Sequence, residues 1–315
     1  MTKMIANRLV FGIVMLLIIS LVITLGVELL PGDLAQAILG QSATPESLSA
    51  FRRELGLDQP LHARYLAWLW NVLHGDLGHS LASNRPVIDL LAARLGNTLF
   101  LATFTAVVAV PIAVILGTVA ALYEGSWFDR AISIATLSTI SLPEFLVGYM
   151  LVSFLSVQYQ VFPSIANLDP RTDTWSKLYA ISLPALTLTL VVVAHMMRMT
   201  RTAILSVMTR PYVEMSVLNG ITRSRIVVFY ALPNALSPVI NVIVLNLAYL
   251  IVGVVVVEVV FVYPGLGQLL VDSVAKRDLP VVQASVMIFA SIYILLNLTA
   301  DVLAIVFNPK LRHRK

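Results

Sequence analysis

Six long apolar segments, each bounded by charged residues, limit what this sequence can fold into more than any other feature. They cover roughly residues 9–27, 95–123, 131–158, 178–197, 226–261 and 279–307. A helix needs about 20 mostly apolar residues to cross the hydrocarbon core of a bilayer, and each segment supplies about that length. The sequence therefore predicts an all-α polytopic membrane protein with six transmembrane helices.

The composition agrees with a chain whose main solvent is lipid. Hydrophobic residues make up 58% of the 315 residues, charged residues only 12%, and the mean hydropathy is +0.89. Soluble domains are about a quarter charged, so a cytosolic enzyme and a nucleic-acid-binding protein are excluded. The chain has no cysteine, which removes disulfides, thiolate metal sites and cysteine nucleophiles.

The first apolar segment is expected to remain in the membrane rather than to be cleaved as a signal peptide. Its apolar core, residues 9–27, is longer than the roughly 7–15 residues of a signal-peptide core, and no Ala-x-Ala-like cleavage site follows it. We therefore assign residues 1–30 to an N-terminal tail and transmembrane helix 1.

Basic residues predict the orientation, because Lys and Arg are enriched in short cytoplasmic segments. With the N-terminus inside, four basic residues fall in the short outer loops, at 171, 177, 276 and 277. Twelve fall in cytosolic segments: Lys3, Arg8, Arg130, Arg198, Arg201, Arg210, Arg223, Arg225, Lys310, Arg312, Arg314 and Lys315. We therefore expect both termini in the cytosol, with a basic tail at 308–315.

The long segment 31–96 is predicted to be a helical insertion on the outer face. Helix starts and stops in it are marked by Thr44-Pro45-Glu46 and Gly56, by Pro60 and Gly75, and by Pro86, which leads towards transmembrane helix 2. These helices are amphipathic. They are interpreted either as a collar that packs the transmembrane helices or as a docking surface for an external partner.

The segment 198–234 is predicted to project into the cytosol as a helix, a turn and a second helix. Pro211 suits the first turn of a helix, and Glu214 complements the helix dipole in that turn. Gly220 is the expected stop, and a second helical stretch runs up to Leu232-Pro233. A plain connection needs no such design, so a partner-docking role and a structural role both remain open.

A second turn is expected in the outer connection 262–281. Pro264, Gly265 and Gly267 suit a tight turn in which bulky side chains would clash. A structural turn and a part in the outer gate are the two interpretations.

Three acidic residues lie inside apolar segments, namely Glu144, Glu258 and Asp301. An ionisable group at membrane depth is a candidate functional residue. Glu258 and Asp301 lie near helix ends, where pairing or packing would explain them. Glu144 follows Pro143 in mid-segment, and it either lines a pathway and contacts a cationic ligand group or pairs with another helix.

No metal site and no catalytic motif is predicted. His195 with the methionines around it has the helical spacing of ordinary packing. The sequence lacks Gly-x-x-x-x-Gly-Lys-Ser/Thr, Gly-x-Ser-x-Gly and His-Glu-x-x-His. We therefore expect the chain to bind no cofactor and to take its energy from another protein.

The stretch 214–233 resembles the EAA loop of ABC importer permeases. The family pattern is Glu-Ala-Ala, three residues, glycine, nine residues, isoleucine, one residue and Leu-Pro. The corresponding residues here are Glu214, Met215 and Ser216, then Gly220, Tyr230, and Leu232-Pro233. Every spacing fits, while the two alanines and the isoleucine are replaced.

Other segments are similar to those of the dipeptide/oligopeptide-type permeases, so the resemblance extends over nearly the whole chain. They are Pro31-Gly32-Asp33 and the segments 53–61, 75–80, 84–87, 258–267, 277–283 and 308–312. The extended first outer loop is similar to that of the first of the two permease subunits in such systems.

The resemblance implies a type I ABC importer permease fold, with residues 97–307 as the permease core, in a bacterial inner membrane. A second homologous permease would complete the pathway as a heterodimer. Two cytosolic ATPases would bind ATP and Mg²⁺ and dock on the EAA loops, and an external binding protein would deliver the solute. Such solutes are usually peptides, although related systems carry nickel, glutathione or opine-like compounds.

Two other classes compete with this interpretation. A secondary transporter or channel subunit would explain six spans but leaves the EAA spacing unexplained. A membrane-embedded enzyme would need His, Asp or Glu clustered within the spans, and the three scattered carboxylates do not provide such a cluster.

Overall fold

The computed structural model describes residues 2–29, 35, 39, 44–54, 56–166 and 173–307. Predictions made for Pro31-Gly32-Asp33, for Leu55, for Arg171 and for the tail 308–315 lie outside these residues. Thirteen helices are described: α1 (Thr2–Glu28), α2 (Pro45–Glu54), α3 (Leu61–Leu73), α4 (Val87–Leu122), α5 (Trp127–Ser141), α6 (Glu144–Leu151), α7 (Thr174–Ala180), α8 (Ser182–Met208), α9 (Pro211–Leu218), α10 (Arg223–Ile226), α11 (Leu232–Val260), α12 (Leu266–Lys276) and α13 (Leu279–Phe307).

The predicted all-α class is confirmed, since the described ranges contain helices and no strand. Five helices are long and apolar enough to cross a membrane, namely α1, α4, α8, α11 and α13. The pair α5–α6 is the sixth candidate, and its two helices are bent by 104° at the break between them. The described part of the chain thus contains five candidate spans, or six if the bent pair forms one.

The prediction of one continuous helix over 131–158 is wrong, and Pro143 is the reason. Proline has no N–H to donate and disfavours helical backbone at the residue before it. Leu142 accordingly adopts an extended conformation, with φ −93° and ψ 134°. The helix therefore stops at Ser141, and α6 starts again at Glu144 in a new direction.

Two compact units make up the chain. Unit A comprises 1–99 and 264–292, and unit B comprises 100–263 and 293–315. The helices α4 and α13 contribute residues to both.

In unit A, the helices of the 31–96 insertion begin and end close to the predicted boundaries. The Thr44 hydroxyl accepts the Ser47 N–H (3.2 Å) at the start of α2, and Gly56 and Gly75 have positive φ beyond α2 and α3. The helix that Pro86 opens is not separate from transmembrane helix 2. It continues as the 36-residue α4, because no helix-breaking residue follows until Pro111, which the helix accommodates.

Polar contacts hold the insertion to the membrane helices of unit A. Arg64 on α3 forms an ion pair with Glu28 at the end of α1 (2.8 Å). The Asp278 carboxylate is buried and accepts hydrogen bonds from the Ser80 hydroxyl (2.5 Å) and the Leu81 N–H (3.0 Å). These contacts fix the irregular backbone around 80 against the connection between α12 and α13.

In unit B, α8 and α11 pack along each other, α5 and α6 pack against α8, and α6 also packs against α11. The helix α4 also comes close to α8, at Gly117. A Cβ built there would lie 2.8 Å from the Met197 carbonyl oxygen and 2.8 Å from the Thr200 Cβ. Only a residue without a side chain lets α4 and α8 lie this close together.

We expect Gly117→Ala to destabilise the protein by about 1–2 kcal/mol. The added methyl group overpacks the contact with α8, which costs about 1–3 kcal/mol, and the better helix propensity of alanine offsets up to about 1 kcal/mol of that. Thermal unfolding in detergent measures the effect as a lowered Tm.

Gly96→Ala is the matched control in the same helix, since nothing lies within 4 Å of a Cβ at Gly96. It should leave the Tm unchanged or raise it. A Gly117→Ala protein as stable as wild type would show that α4 and α8 are not in this close contact.

Candidate functional site

The segment between α8 and α10 folds into a short helix, α9. It begins directly after Arg210, whose backbone is extended (φ −82°, ψ 144°). Pro211 occupies the start of the helix, where its missing N–H needs no acceptor, and Glu214 lies in the first turn. The structure therefore contains the helix that the sequence predicts here.

A tight turn at Gly220 closes α9. The Ile221 N–H donates to the Ser216 carbonyl (3.2 Å) and the Gly220 N–H to the Val217 carbonyl (2.9 Å), the pattern of a Schellman motif. Gly220 has φ +74°, a conformation that residues with a Cβ rarely adopt. Nothing lies within 4 Å of a Cβ at this position, so backbone strain, not crowding within the chain, selects glycine.

One side of α9 is apolar and exposed. Tyr212, Met215 and Leu218 are 44%, 58% and 76% exposed, and their spacing of three residues places them on one face, here called the α9 face. The Glu214 side chain is also exposed, and no hydrogen bond or ion pair reaches it from the described part of the chain. A short helix with an unpaired apolar face and one carboxylate is suited to insertion into a groove of another protein.

The structure changes which residues of the EAA-like segment can meet a partner. Ser216 is buried, and its hydroxyl donates to the Tyr212 carbonyl (2.9 Å), so this residue faces the protein and not a partner. The EAA-like motif does not include Tyr212 or Leu218. The apolar spacing 212, 215, 218 is the sequence signal that identifies them.

The sequence predicts that the second helical stretch ends at Leu232-Pro233, but in the structure these residues do not interrupt the helical chain. The helix α10 passes through the π-helical segment Val227–Ala231 into α11 without a break. Pro233 cannot donate to the Phe229 carbonyl four residues earlier, and a wider π turn is a common way to accommodate such a gap. The Asn234 side chain donates to the Tyr230 carbonyl (2.7 Å) in the same turn.

Two arginines anchor the segment 198–234 to the connection between α4 and α5 and to the first turn of α5. Arg201 donates from Nε and Nη2 to the two oxygens of Asp129, at 2.7 and 2.8 Å, and the Gly125 N–H also donates to this carboxylate (2.9 Å). Arg223 pairs with Glu124 (2.8 Å) and donates to the Ala121 carbonyl (3.2 Å). The helix before α9 and the helix after it are thus tied to the same short connection.

An apolar cluster lies beneath these ion pairs. It joins α4, the end of α8, the π-helical segment and the start of α11 through the buried residues Ala121, Ile204, Val207, Val227, Ala231, Ala235 and Val239. Leu232 packs against the cluster. Both sequence neighbours of α9 therefore rest on one packed core.

The three intramembrane acids occupy separate places. Glu258 is fully buried near the end of α11, and Asp301 is half-buried in the last turns of α13. Burial raises the pKa of the Tyr263 phenol, and the Glu258 carboxylate adds to this rise. Glu144 is half-buried at the start of α6.

Glu144 lines a cavity of about 320 Å³ within unit B. Its wall is formed by α6, α8 and α11. The lining residues are Glu144, Leu188, Val191, Val192, His195, Met199, Leu245, Asn246, Tyr249, Leu250 and Gly253. Sequence reasoning singled out Glu144 but did not predict that His195 and Asn246 share its cavity, because they lie far apart along the chain.

The turn at 263–267 is built differently from the prediction. Gly265 has an ordinary negative φ of −102° and precedes α12, which contains Gly267. The residue with positive φ is Val262, at 51°. The Thr98 hydroxyl accepts the Leu266 N–H (2.8 Å) and the Asn97 amide donates to the Pro264 carbonyl (2.8 Å), so neighbouring side chains of unit A, and not a glycine turn, fix the start of α12.

No group of three or more His, Asp or Glu side chains that could share a metal ion occurs in the ranges the structure describes.

Comparison with known families decides the class of this protein. Residues 113–313 match the model of the binding-protein-dependent transport system inner membrane component, and residues 1–102 match its N-terminal companion. The chain belongs to this family of inner membrane transport components. The family assignment confirms the predicted ABC importer permease and its type I fold, and it overturns the secondary transporter and channel alternatives.

Relatives in this permease family match the present chain over its whole length. The glutathione transport system permease protein GsiC of Escherichia coli strain K12 is 37% identical over 314 residues, which covers 100% of both chains. GsiC of Shigella dysenteriae strain Sd197 and of Salmonella choleraesuis strain SC-B67 show the same identity and coverage. The chain is therefore a transport subunit of an inner membrane.

We expect Asp129→Asn in this permease to lower the free energy of unfolding by about 2–4 kcal/mol. The substitution leaves the Arg201 guanidinium without its buried partner, and breaking a buried ion pair costs about 3–5 kcal/mol, reduced here because Arg201 is partly exposed. Thermal unfolding in detergent provides the measurement.

Glu124→Gln is the control, since its pair with Arg223 lies in the same connection but is exposed on both sides. Exposed pairs contribute about 0–1 kcal/mol. Equal losses of Tm in the two variants would contradict the structural importance of the Asp129–Arg201 pair.

Proposed function

We propose that this chain is the first of two permease subunits of an ATP-driven importer and that α9 couples it to a cytosolic ATPase. The observation that supports coupling most directly is the α9 face, an exposed apolar surface on a short helix that Gly220 closes. Tyr212, Met215 and Leu218 insert into a groove of the ATPase, and Glu214 pairs with a basic group beside it. Leu232 and Pro233 hold the end of the coupling segment to α11.

The ion pairs give this docking helix a mechanical connection to the membrane. A movement of the ATPase displaces α9, and α8 and α10 follow because they flank it in the chain. Arg201 and Arg223 carry the displacement to the connection between α4 and α5. In this way nucleotide binding at one surface changes the packing of α4, α8 and α11.

The remaining parts of the importer are separate proteins. The ATPases bind ATP and Mg²⁺, a second homologous permease completes the pathway as a heterodimer, and an external binding protein delivers the solute to the insertion 31–96. The 12-to-4 distribution of basic residues supports cytosolic termini and a cytosolic α9. Residues 97–307 form the permease core, in which Glu258 and Asp301 have structural roles and the turn at Pro264, Gly265 and Gly267 shapes the outer end.

The solute is a short peptide or a peptide-like compound. The relatives named for glutathione transport match this chain over its full length at 37% identity, and glutathione is itself a tripeptide. The resemblance of the outer segments to peptide permeases supports the same class.

We expect Gly220→Val to abolish uptake while the protein still inserts into the membrane. A β-branched residue cannot adopt φ +74° without strain, so the turn and the orientation of α9 are lost. The ATPase retained on the purified permease should fall at least tenfold. Glu214→Ala should reduce it by about fivefold or more, because a close charge pair is worth about 1–3 kcal/mol.

Gly56→Val is the matched control. Gly56 has φ +65° and nothing within 4 Å of a Cβ, so the strain is similar but lies in the outer insertion. This variant should keep its ATPase. Normal uptake and normal ATPase retention in both Gly220→Val and Glu214→Ala would show that α9 is not the coupling helix.

A further inference from the structure

The cavity in unit B contains the carboxylate of Glu144, which has no partner among the described residues. Glu144 lies over Gly253 of α11, where a Cβ would be 2.8 Å from Oε2 and 3.1 Å from Oε1. The glycine therefore makes the space that the carboxylate occupies. Within the described ranges no hydrogen bond and no ion pair reaches Glu144.

An unpaired carboxylate is costly in this location. Leu188, Val191, Val192, Leu245 and Leu250 form most of the wall around it. A charge that leaves water for apolar surroundings loses several kcal/mol unless a counter-charge or hydrogen-bond donors replace the water. The cavity thus favours an occupant that brings a positive charge.

The other polar groups of the lining also suit a cation. The Asn246 amide nitrogen donates to the Val242 carbonyl (2.8 Å), which leaves its Oδ1 as an acceptor for a ligand. The ring of Tyr249 is largely exposed at the cavity, and an aromatic face attracts cations. His195 is the only lining residue that could itself carry a positive charge, and Arg198 acts on it from one turn further along α8.

We propose that this cavity is a binding subsite for the primary ammonium group of the transported solute, with the Glu144 carboxylate as its counter-charge. The ammonium donates to Glu144 and to Asn246 Oδ1, and it lies against the Tyr249 ring. Small-molecule sites have volumes of about 300–1,000 Å³, so a cavity of about 320 Å³ accepts the amino end of a peptide and not a long chain. This inference rests on the proposed importer function and adds a substrate preference to it.

The test uses the complete transporter with its binding protein in liposomes. Uptake is measured for trialanine and N-acetyl-trialanine, and for glutathione and N-acetyl-glutathione, in wild type and in Glu144→Gln. The ratio of wild-type to variant uptake is compared between the free and the acetylated form of each solute. The binding protein is the same in both transporters, so its own preference cancels from this comparison.

We expect Glu144→Gln to lower uptake of the two free-amino solutes about tenfold or more, because hydrogen bonds to a charged group are worth about 1.5–3 kcal/mol. Uptake of the acetylated solutes should change less than twofold. Asp173→Asn is the control, since Asp173 is exposed before α7, outside the insertion 31–96, and its side chain makes no cap hydrogen bond there.

Three outcomes would overturn the proposal. Equal losses for free and acetylated solutes, with a weakened permease pair, would identify the counter-charge as a basic side chain of the second permease. Unchanged uptake of all solutes would show that Glu144 does not meet the solute. The wild-type transporter could fail to take up either acetylated solute. In that case, uptake of the free-amino solutes that is the same in wild type and Glu144→Gln still overturns the proposal. Wild-type transporter that shows no ATP-coupled uptake would instead refute the importer function.

Discussion

A backbone N–H or C=O group without a partner costs several kcal/mol in the hydrocarbon core of a bilayer, because no water can replace the missing hydrogen bond. Most of this chain meets that constraint with long helices. Interruptions of regular α-helix are few in these long helices, and the most prominent of them occur at prolines. The break at Pro143 ends one helix and places Glu144 at the start of the next, and the π-helical turn before Pro233 connects the coupling segment to α11. Glu144, on which the solute proposal depends, and the link from the coupling segment to α11 therefore both lie where a proline removes an N–H from a membrane helix.

Scarcity of charge makes the placement of each charged residue informative. With only 12% charged residues, the chain still places Glu124 in the connection between α4 and α5 and Asp129 in the first turn of α5. Both are paired, one with Arg201 before α9 and one with Arg223 after it. Within the described residues, the Glu214 side chain on α9 has no such contact. The ion pairs thus stabilise the base of the segment, while its tip remains available to another protein.

The sequence predicts most of the fold because apolar length and turn chemistry are local properties. The start of α9 at Pro211, its end at Gly220 and the boundaries of α2 and α3 all depend on a few neighbouring residues. The spacing of the EAA-like motif also agrees with the observed start of α9 and its end at Gly220. Its exposed face was not predicted, since the burial of Ser216 and the exposure of Leu218 depend on how α9 lies against the rest of unit B.

Contacts between distant residues are what the sequence does not show. The Asp129–Arg201 pair joins residues 72 positions apart, and the cavity collects side chains from α6, α8 and α11. The bend at Pro143 had a sequence signal, but the apolar run on both sides of it favoured one continuous helix. The capping of α12 by Thr98, 168 residues away from Leu266, has no sequence signal at all.

Site-specific photo-crosslinking tests most directly whether α9 docks on the ATPase. A photoreactive residue replaces Leu218 on the α9 face or Leu73 in the outer insertion, two leucines that are 76% and 74% exposed. In the assembled transporter the account predicts a covalent adduct with the ATPase from position 218 and none from position 73. An ATPase adduct from position 73, or its absence at position 218 in a transporter that still hydrolyses ATP, would contradict it.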